Sequence, residues 1–276
     1  AITLYDEYIF RQGDQVHVSV SGEALGDVPI GSDNLAVVAA DRVAARVGSP
    51  FTHTQIDHIS TIPVSRGMGA SGAAVVAGLT AANYLFGDLL SLRELLQIGI
   101  ELEGHPDNIL PAFVGGLVVL ATKNGEVDWV RLKCPSSLQL ALAVPSLQIT
   151  THEARKVLPE SVSFADAIHN ISRATLFVAA IQNNRMDLLA TGMDDRIHQP
   201  YRRAIHPTMD KMIEAALAAG AAGAALSGSG STVMAFCEAN AHASAAAMRL
   251  TCETTGIDCQ EYVCSPALDG AQISST

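Results

Sequence analysis

The sequence predicts an α+β protein built from two domains. The chain has 276 residues, of which 49% are hydrophobic and 16% charged, so it is globular and long enough to form two cores. Strand-like stretches alternate with helix-like stretches in both halves, and the composition changes near residues 135–137. These features predict a first domain over residues 1–134 and a second over residues 135–276.

The first domain is predicted to contain strands and helices in a mixed order. Alternating apolar residues favour strands, and Asn34 and Ser91 are placed to cap the helices that follow them. The dipeptide Asn124-Gly125 is typical of a tight hairpin turn. In chain order we expect strands at 1–10 and 16–20, a helix at 35–47, a strand at 51–62, helices at 73–85 and 92–102, and a strand at 113–120.

The second domain begins with an apolar strand and ends with one. A serine- and glycine-rich loop at 227–231 joins two short apolar stretches, which predicts a pair of neighbouring strands. In chain order we expect a strand at 138–144, helices at 151–157, 163–183, 186–191 and 206–219, strands at 222–226 and 232–237, a helix at 241–254 and a strand at 260–264.

Charge and composition exclude several classes of function. A net charge of −11 argues against binding to nucleic acid, because there is no stripe of lysine and arginine to neutralise phosphates. No apolar run reaches the roughly 18 residues that favour a membrane-spanning helix. The five cysteines are scattered without a C-x-x-C pair, and no charged leader opens the chain, so we expect a protein of the reducing cytoplasm.

A glycine-dense loop at residues 63–73 organises the chain. Gly67, Gly69 and Gly72 allow the backbone to approach an anion closely, and the helix predicted after them would present unpaired N–H groups at its start. The loop is therefore interpreted as a phosphate cradle. It also matches the G-x-G-x-x-G dinucleotide pattern, without a clear strand before it, and an ordinary strand-to-helix connection is a further reading. The chain has no Gly-Lys-Ser/Thr, which excludes a P-loop NTPase.

Four other blocks accompany this loop. They are Glu-Leu-Glu-Gly-His-Pro-Asp-Asn at 101–108, Thr-His-Glu-Ala-Arg at 151–155, Asp-Arg-Ile-His-Gln-Pro-Tyr-Arg at 195–202, and Leu-Ser-Gly-Ser-Gly at 226–230. In this order the five blocks resemble the GHMP small-molecule kinases, and within them the homoserine kinase family, from the first residue to the last.

The resemblance implies a fold, a reaction and a set of partners. The fold is the two-domain GHMP kinase fold, with an N-terminal domain like ribosomal protein S5 domain 2 and a ferredoxin-like C-terminal domain. The reaction is transfer of the γ-phosphate of ATP, with Mg²⁺, to the side-chain hydroxyl of L-homoserine, on the route to threonine. A homodimer in the cytoplasm, with no nucleic acid or membrane partner, is also expected.

The resemblance also assigns roles to single residues. Glu101, Asn108 and Asp107 are expected at the catalytic centre, with Ser71 and Glu101 as ligands of Mg²⁺. Asn108, Thr151, Arg155 and Arg202 are expected to bind the amino acid, the two arginines gripping its carboxylate. Residues expected at ATP are Pro63, Arg66, Gly67, Met68, Gly69, Ala70, Ser71, Gly72, Ala73, Gly228, Ser229 and Gly230.

Each of these residues has a plainer reading when taken alone. Glu101 could be a solvated carboxylate near a helix end, Arg155 a charge on a helix surface, and Asn108 the cap of a turn. Arg202 and Arg203 are adjacent, so only one is expected in the site. The histidines, including His105 and His198, lack metal-ligand spacing and are expected to be ordinary hydrogen-bonded side chains.

The sequence departs from the family pattern in two places. Ser231 stands where proline usually follows the last glycine, which predicts a slightly looser loop. The family's opening strand and its polar glycine loop, which contribute to the homoserine pocket, would precede Ala1 and are not in this sequence. Two alternatives stay open: another GHMP kinase acting on mevalonate or a sugar, and a catalytically silent ATP-binding protein of the same fold.

Overall fold

A computed structural model describes residues 1–51 and 54–274, and these residues form two compact units. The first unit contains Ala1–Val64, Gly69–Leu132 and the chain from Ala267 onward. The second contains Ser65–Met68 and Lys133–Pro266. The division into domains at 1–134 and 135–276 stays a prediction, and the two units differ from it by exchanging one loop and the C-terminal segment.

The first unit combines a mixed three-stranded sheet, a hairpin and four helices. Its strand β3 lies between β1, which runs antiparallel to it, and β2, which runs parallel to it. A separate antiparallel hairpin is formed by β4 and β5, and Asn124 and Gly125 make its turn with positive φ angles. The elements are β1 (Glu7–Gln12), β2 (His17–Gly22), α1 (Leu35–Val47), β3 (Thr54–Ser60), α2 (Ala70–Leu85), α3 (Leu92–Glu103), α4 (Ile109–Val114), β4 (Leu117–Lys123) and β5 (Glu126–Leu132).

Helices α1, α2 and α3 pack around one apolar core. Val43, Val75, Leu79 and Leu96 are among its buried members. Gly78 lets α1 and α2 approach closely, since a Cβ at this position would lie 2.0 Å from the carbonyl oxygen of Ala36. This packing fixes α2 and α3, whose ends carry the phosphate-loop residues and the acidic block.

The second unit is built on a four-stranded antiparallel sheet. The strand order β7-β8-β6-β9, with helices between β6 and β7 and between β8 and β9, is the β-α-β-β-α-β arrangement of ferredoxin-like folds. The elements are β6 (Gln139–Pro145), α5 (Thr151–Lys156), α6 (Phe164–Gln182), a 3-10 turn (Met186–Leu188), α7 (Leu189–Gly192), α8 (Gln199–Arg202), α9 (Met209–Ala218), β7 (Gly223–Leu226), β8 (Val233–Cys237), α10 (Ala241–Glu253) and β9 (Cys259–Cys264).

The core of the second unit lies between the sheet and the helices α9 and α10. Small residues of the strands, such as Ala141 and Ala235, meet methionines of the helices, such as Met212 and Met248, and all four are fully buried. The unbranched methionine side chain fills the irregular space that small strand residues leave. The sequence-based prediction of an α+β class with a ferredoxin-like second domain is confirmed.

Most predicted elements are present, and the differences are local. The predicted strand at 113–120 begins only at Leu117, because Phe113 and Val114 close the short helix α4. Two glycines with positive φ, Gly115 and Gly116, end that helix and turn the chain into β4. Helix α2 begins at Ala70 instead of residue 73, and α8 was not predicted.

The two N-terminal strand predictions need shorter limits. The stretch expected as a strand at 1–10 forms β1 only from Glu7 onward, and the strand expected at 51–62 is observed as Thr54–Ser60. Thr52 and His53 of that prediction lie outside the described residues. In the described parts of the chain, none of the helices combines the length and hydropathy that a membrane span requires.

Candidate active site

The beginning of the first glycine loop lies against the second glycine loop, residues 227–230, within the second unit. Gly67 has a φ of 76°, and a Cβ there would lie 2.2 Å from the carbonyl oxygen of Ser227 and 2.7 Å from the nitrogen of Gly230. The Ser227 hydroxyl donates to the Gly67 carbonyl at 2.8 Å, and Thr232 N donates to the carbonyl of Arg66 at 3.0 Å. The two loops therefore meet backbone to backbone, and only glycine fits at position 67.

The end of the first glycine loop opens helix α2 in the first unit. Gly69 is the N-cap residue, with a φ of 79°, and the helix begins at Ala70. The cap has no side chain to accept a hydrogen bond from the first turn, and the first N–H groups of a helix have no partner within the helix. Such a helix start favours an anion through these donors and through the helix dipole. This geometry agrees with the phosphate-cradle reading of the loop.

Ser71 is paired with Glu103. The Ser71 hydroxyl donates to Glu103 Oε2 at 3.0 Å. Glu101, the carboxylate expected beside Ser71, is exposed on α3. Residues two apart in an α-helix point in nearly opposite directions, because each residue turns the helix by about 100°. The structure thus brings Glu103 to the start of α2, whereas Glu101 projects from a different side of α3.

Asn108 and Asp107 follow the acidic block in the first unit. Asn108 lies beside the phosphate loop, since a Cβ at Gly72 would be 3.0 Å from the Asn108 Cβ and one at Gly69 would be 3.4 Å from its Oδ1. Its side chain makes no cap hydrogen bond to α4, although it occupies the N-cap position. Asp107 is exposed, and its Oδ1 lies 2.5 Å from Nδ1 of His105.

Arg202 is a buried cation of the second unit. It is 4% exposed, its Nη1 donates to the Gly228 carbonyl at 2.5 Å, and its Nε donates to the Ala154 carbonyl at 3.4 Å. Its neighbour Arg203 is exposed and pairs with Asp210 at 2.5 Å. Of the two adjacent arginines, Arg202 is therefore the one that contacts the second glycine loop.

Arg155 and Thr151 lie on the short helix α5 beside this arginine. The preceding residue, Thr150, forms a capping box with Glu153, which fixes the start of the helix. Thr151 lies in the first turn and Arg155 in the last turn, and both are exposed to solvent. Together with Arg202 they offer two guanidinium groups and a hydroxyl in one part of the second unit.

Burial and neighbouring charges shape the electrostatics around Arg202. Burial lowers the pKa of its guanidinium; the negative charge of Asp195 opposes this shift, and the positive charge of Arg155 adds to it. Arginine nevertheless stays charged in proteins. The pKa of His198 is lowered by burial and then by the positive charge of Arg202, so this imidazole is neutral at pH 7. The region therefore holds two permanent positive charges suited to a carboxylate.

Ser231 is more firmly held than the sequence suggested. It is fully buried, its hydroxyl donates to the carbonyl oxygen of Leu147 and lies 3.2 Å from that of Pro145, and its own carbonyl accepts from Nε2 of His206 at 2.7 Å. The prediction of a looser loop at this position is wrong, because the hydroxyl ties the loop to the end of β6.

The other residues predicted at ATP lie on the same two loops. Pro63 is buried before the loop, and Arg66, Met68 and Ala73 are half-buried. Ser229 Oγ donates to the Gly230 carbonyl at 3.5 Å. Over residues 1–51 and 54–274 no group of three or more His, Cys, Asp or Glu side chains is arranged to hold a metal ion alone.

Comparison with known protein families shows which family has this sequence and fold. The model of the N-terminal domain of GHMP kinases matches residues 34–116, and that of the C-terminal domain matches residues 177–254. The homoserine kinase of Moorella thermoacetica is 37% identical over 273 residues, which is 99% of this chain and 92% of that protein. The chain belongs to the homoserine kinase family of the GHMP kinases.

Solved structures agree with this membership. The crystal structure of homoserine kinase from Cytophaga hutchinsonii has a TM-score of 0.86 at 28% identity and covers 96% of this chain and 87% of that one. The structure of L. major mevalonate kinase in complex with R-mevalonate has a TM-score of 0.71 at 18% identity, covering 96% and 88%. At that identity the mevalonate kinase shows the shared GHMP fold alone.

Proposed function

We propose that this chain transfers the γ-phosphoryl group of ATP to the side-chain hydroxyl of L-homoserine and forms O-phospho-L-homoserine. The observation that carries the proposal is the near full-length relationship to the homoserine kinase family. The buried Arg202, with Arg155 close enough to affect its pKa, fits an acceptor that carries a carboxylate. Galactose has no carboxylate and would supply no negative charge opposite the two guanidinium groups.

The chain's own contribution to the reaction is positioning and charge neutralisation, since phosphoryl transfer needs little covalent help. The N–H groups at the start of α2 would bind phosphate oxygens, and Gly67 keeps the first glycine loop in contact with the second. Arg155 and Arg202 would orient the amino acid through its carboxylate. Holding the acceptor in one orientation lowers the entropy cost of the transfer.

Ser71 and Glu103 are the residues that would hold Mg²⁺. A hydroxyl and a carboxylate 3.0 Å apart at a helix start supply two hard oxygen ligands, which suits an ion that takes its remaining ligands from water and substrate phosphates. When bound, the ion would neutralise charge on the transferred phosphoryl group. In this proposal Glu103 replaces Glu101 as the metal carboxylate.

Asn108 and Asp107 are the remaining polar groups of the proposed centre. The position of Asn108 beside Gly69 and Gly72 supports contact with the acceptor or with a phosphate oxygen. Asp107 is the candidate acceptor of the proton that leaves the substrate hydroxyl, and the neighbouring His105 would share this proton with it.

The location in the cytoplasm and the homodimer also stay predictions.

A coupled assay of ADP release with three acceptors tests the proposal. Purified protein is given ATP and Mg²⁺ with L-homoserine, mevalonate or galactose, and the product is identified by mass spectrometry. We expect turnover with homoserine. Turnover with mevalonate or galactose only would refute the substrate, and ATP binding without turnover of any acceptor would favour the silent protein of the same fold.

A further inference from the structure

Three side chains of one short segment bind the backbone of the second glycine loop and of the residue on each side of it. Gln199 Oε1 accepts from the N–H of Leu226 at 2.9 Å, at the end of β7. Arg202 Nη1 donates to the Gly228 carbonyl at 2.5 Å, and His206 Nε2 donates to the carbonyl of Ser231 at 2.7 Å. The contacts thus lie just before the loop, in its middle and just after it.

The spacing of these side chains explains why all three reach the same loop. They stand at i, i+3 and i+7, which places them on one side of a helix. The segment is helical over α8, and the N–H of His206 continues the pattern by donating to the carbonyl of Arg202 at 2.9 Å. Tyr201 and Arg203, the residues on either side of Arg202 in the sequence, lie on other sides of the helix and are exposed.

The segment is itself held in place by Asp195. Its carboxylate accepts from the N–H groups of Ile197 at 3.2 Å and His198 at 3.0 Å, from that of Gln199, and from the side-chain amide of Asn170 at 2.6 Å. A carboxylate that accepts several hydrogen bonds at the start of a helix fixes the direction of that helix. Asp195 therefore fixes the start of the segment that carries the three side chains.

We propose that Gln199 and His206 are positioning residues for phosphoryl transfer, which act with Arg202 to hold the loop from Leu226 to Ser231 in its phosphate-binding shape. The inference rests on the proposed function. Its physical basis is that Arg202 and His206 occupy the carbonyl oxygens of Gly228 and Ser231. A carbonyl oxygen directed at a phosphate would repel it, so tying these two oxygens to donors leaves the loop suited to an anion.

Arg202 extends the same set of contacts to the acceptor side. Its Nε donates to the carbonyl of Ala154, which precedes Arg155 on α5. One guanidinium thus connects the helix that carries Arg155 with the carbonyl of Gly228. A change in the loop would then affect the amino-acid side mainly through Arg202, because this guanidinium contacts both the loop and α5.

The test compares three variants with a matched control. His206→Met removes the donor, His206→Gln keeps an amide donor near the position of Nε2, and Gln199→Met removes the acceptor at similar volume. The control is Gln182→Met, because Gln182 also hydrogen-bonds a backbone carbonyl of the second unit, that of Lys133 at 3.2 Å, away from the loop. Thermal unfolding shows which variants are folded.

The first readout is the dissociation constant for a non-hydrolysable ATP analogue without any acceptor. We expect His206→Met and Gln199→Met to bind it about three- to tenfold more weakly, the factor that corresponds to one net hydrogen bond. His206→Gln should recover most of the affinity, and Gln182→Met should bind like the wild type. The KM for homoserine should change less than the KM for ATP in Gln199→Met.

Wild-type affinity in folded Gln199→Met and His206→Met would overturn the inference, and so would a failure of His206→Gln to improve on His206→Met. If His206→Met does not fold, Gln199→Met decides the question alone. Homoserine turnover by the wild-type protein tests the proposed function separately, since analogue binding needs no acceptor. A wild-type protein that binds the analogue without phosphorylating homoserine would refute the proposed function and still allow the positioning contacts to be judged.

Discussion

Replacing Gly67 by alanine should damage the contact between the two glycine loops. The substitution adds one methyl group, which would lie 2.2 Å from the Ser227 carbonyl oxygen and 2.7 Å from the Gly230 nitrogen. Both atoms belong to the backbone, so they cannot move aside as the end of a long side chain could. The φ of 76° at this position adds a second cost for any residue with a Cβ.

A control variant separates these two costs. Gly48, the C-cap residue of α1, has a φ of 72°, and a Cβ there would meet nothing within 4 Å. Gly48→Ala should therefore lower the free energy of unfolding only by the conformational cost of a left-handed backbone, about 1–2 kcal/mol. Gly67→Ala should lose that amount plus about 1–3 kcal/mol for overpacking, giving about 2–5 kcal/mol in all.

Urea unfolding measures the loss in stability, and the ADP-release assay measures its consequence. We expect Gly67→Ala to unfold at a clearly lower urea concentration than Gly48→Ala and to show a raised KM for ATP, while Gly48→Ala keeps the wild-type KM. Equal unfolding midpoints together with an unchanged KM in Gly67→Ala would refute the backbone-to-backbone packing of Gly67 against Ser227 and Gly230. A lowered midpoint with a wild-type KM would mean that the contact supports the fold without affecting ATP.

Three further predictions concern single side chains. Glu103→Gln should lower kcat by orders of magnitude with little change in homoserine binding, and Glu101→Gln should leave kcat near the wild-type value; equal effects would remove Glu103 from the metal site. Arg202→Lys should raise the KM for homoserine about 30-fold, or about 2 kcal/mol, because an ammonium cannot replace the guanidinium fork, whereas Arg203→Lys should not. Burial lowers the pKa of His206 in the folded protein, so the unfolded chain binds the proton more readily. The contribution of neutral His206 to stability should therefore be fully present above about pH 6.5 and be lost as pH falls through the lower pKa of the folded state. A urea midpoint with the same acid dependence in His206→Gln would contradict this.

The sequence predicted much of the fold because its signals were local. Asn34 and Ser91 cap α1 and α3 as expected, and their side chains accept hydrogen bonds from the first turns of these helices. The turn residues Asn124 and Gly125 form the predicted hairpin. Each of these signals depends on residues within a few positions of one another, so the amino-acid order alone contains them.

The missed elements depended on contacts that are distant in the chain. The sequence predicts Gly115 and Gly116 as part of a strand, yet this pair ends α4 and leads into β4. A Cβ at Gly115 would lie 2.5 Å from the backbone of Asp269, so the C-terminal segment requires a glycine there. No local pattern shows that a segment more than a hundred residues away will lie against this turn.

The contact of Ser71 with Glu103 could have been predicted from the sequence. The buried residues of α3 include Leu95, Ile98 and Gly99. Glu103 follows Gly99 by one helical turn and therefore points toward the same side, whereas Glu101 points away from the middle of this face. The helical phase of the apolar residues contains this information, which the resemblance to the family did not supply.

The choice between Arg202 and Arg203 depended on the fold. Both residues are arginines in the same turn, and the residues next to them in the sequence do not show which of the two is buried. Arg202 is buried because its partners, the carbonyls of Ala154 and Gly228, lie 48 and 26 positions away and are brought together by β6, α5 and β7. Once that contact is known, the spacing of Gln199 and His206 around Arg202 follows from helix geometry. A single long-range contact therefore identifies the side of this segment that faces the second glycine loop.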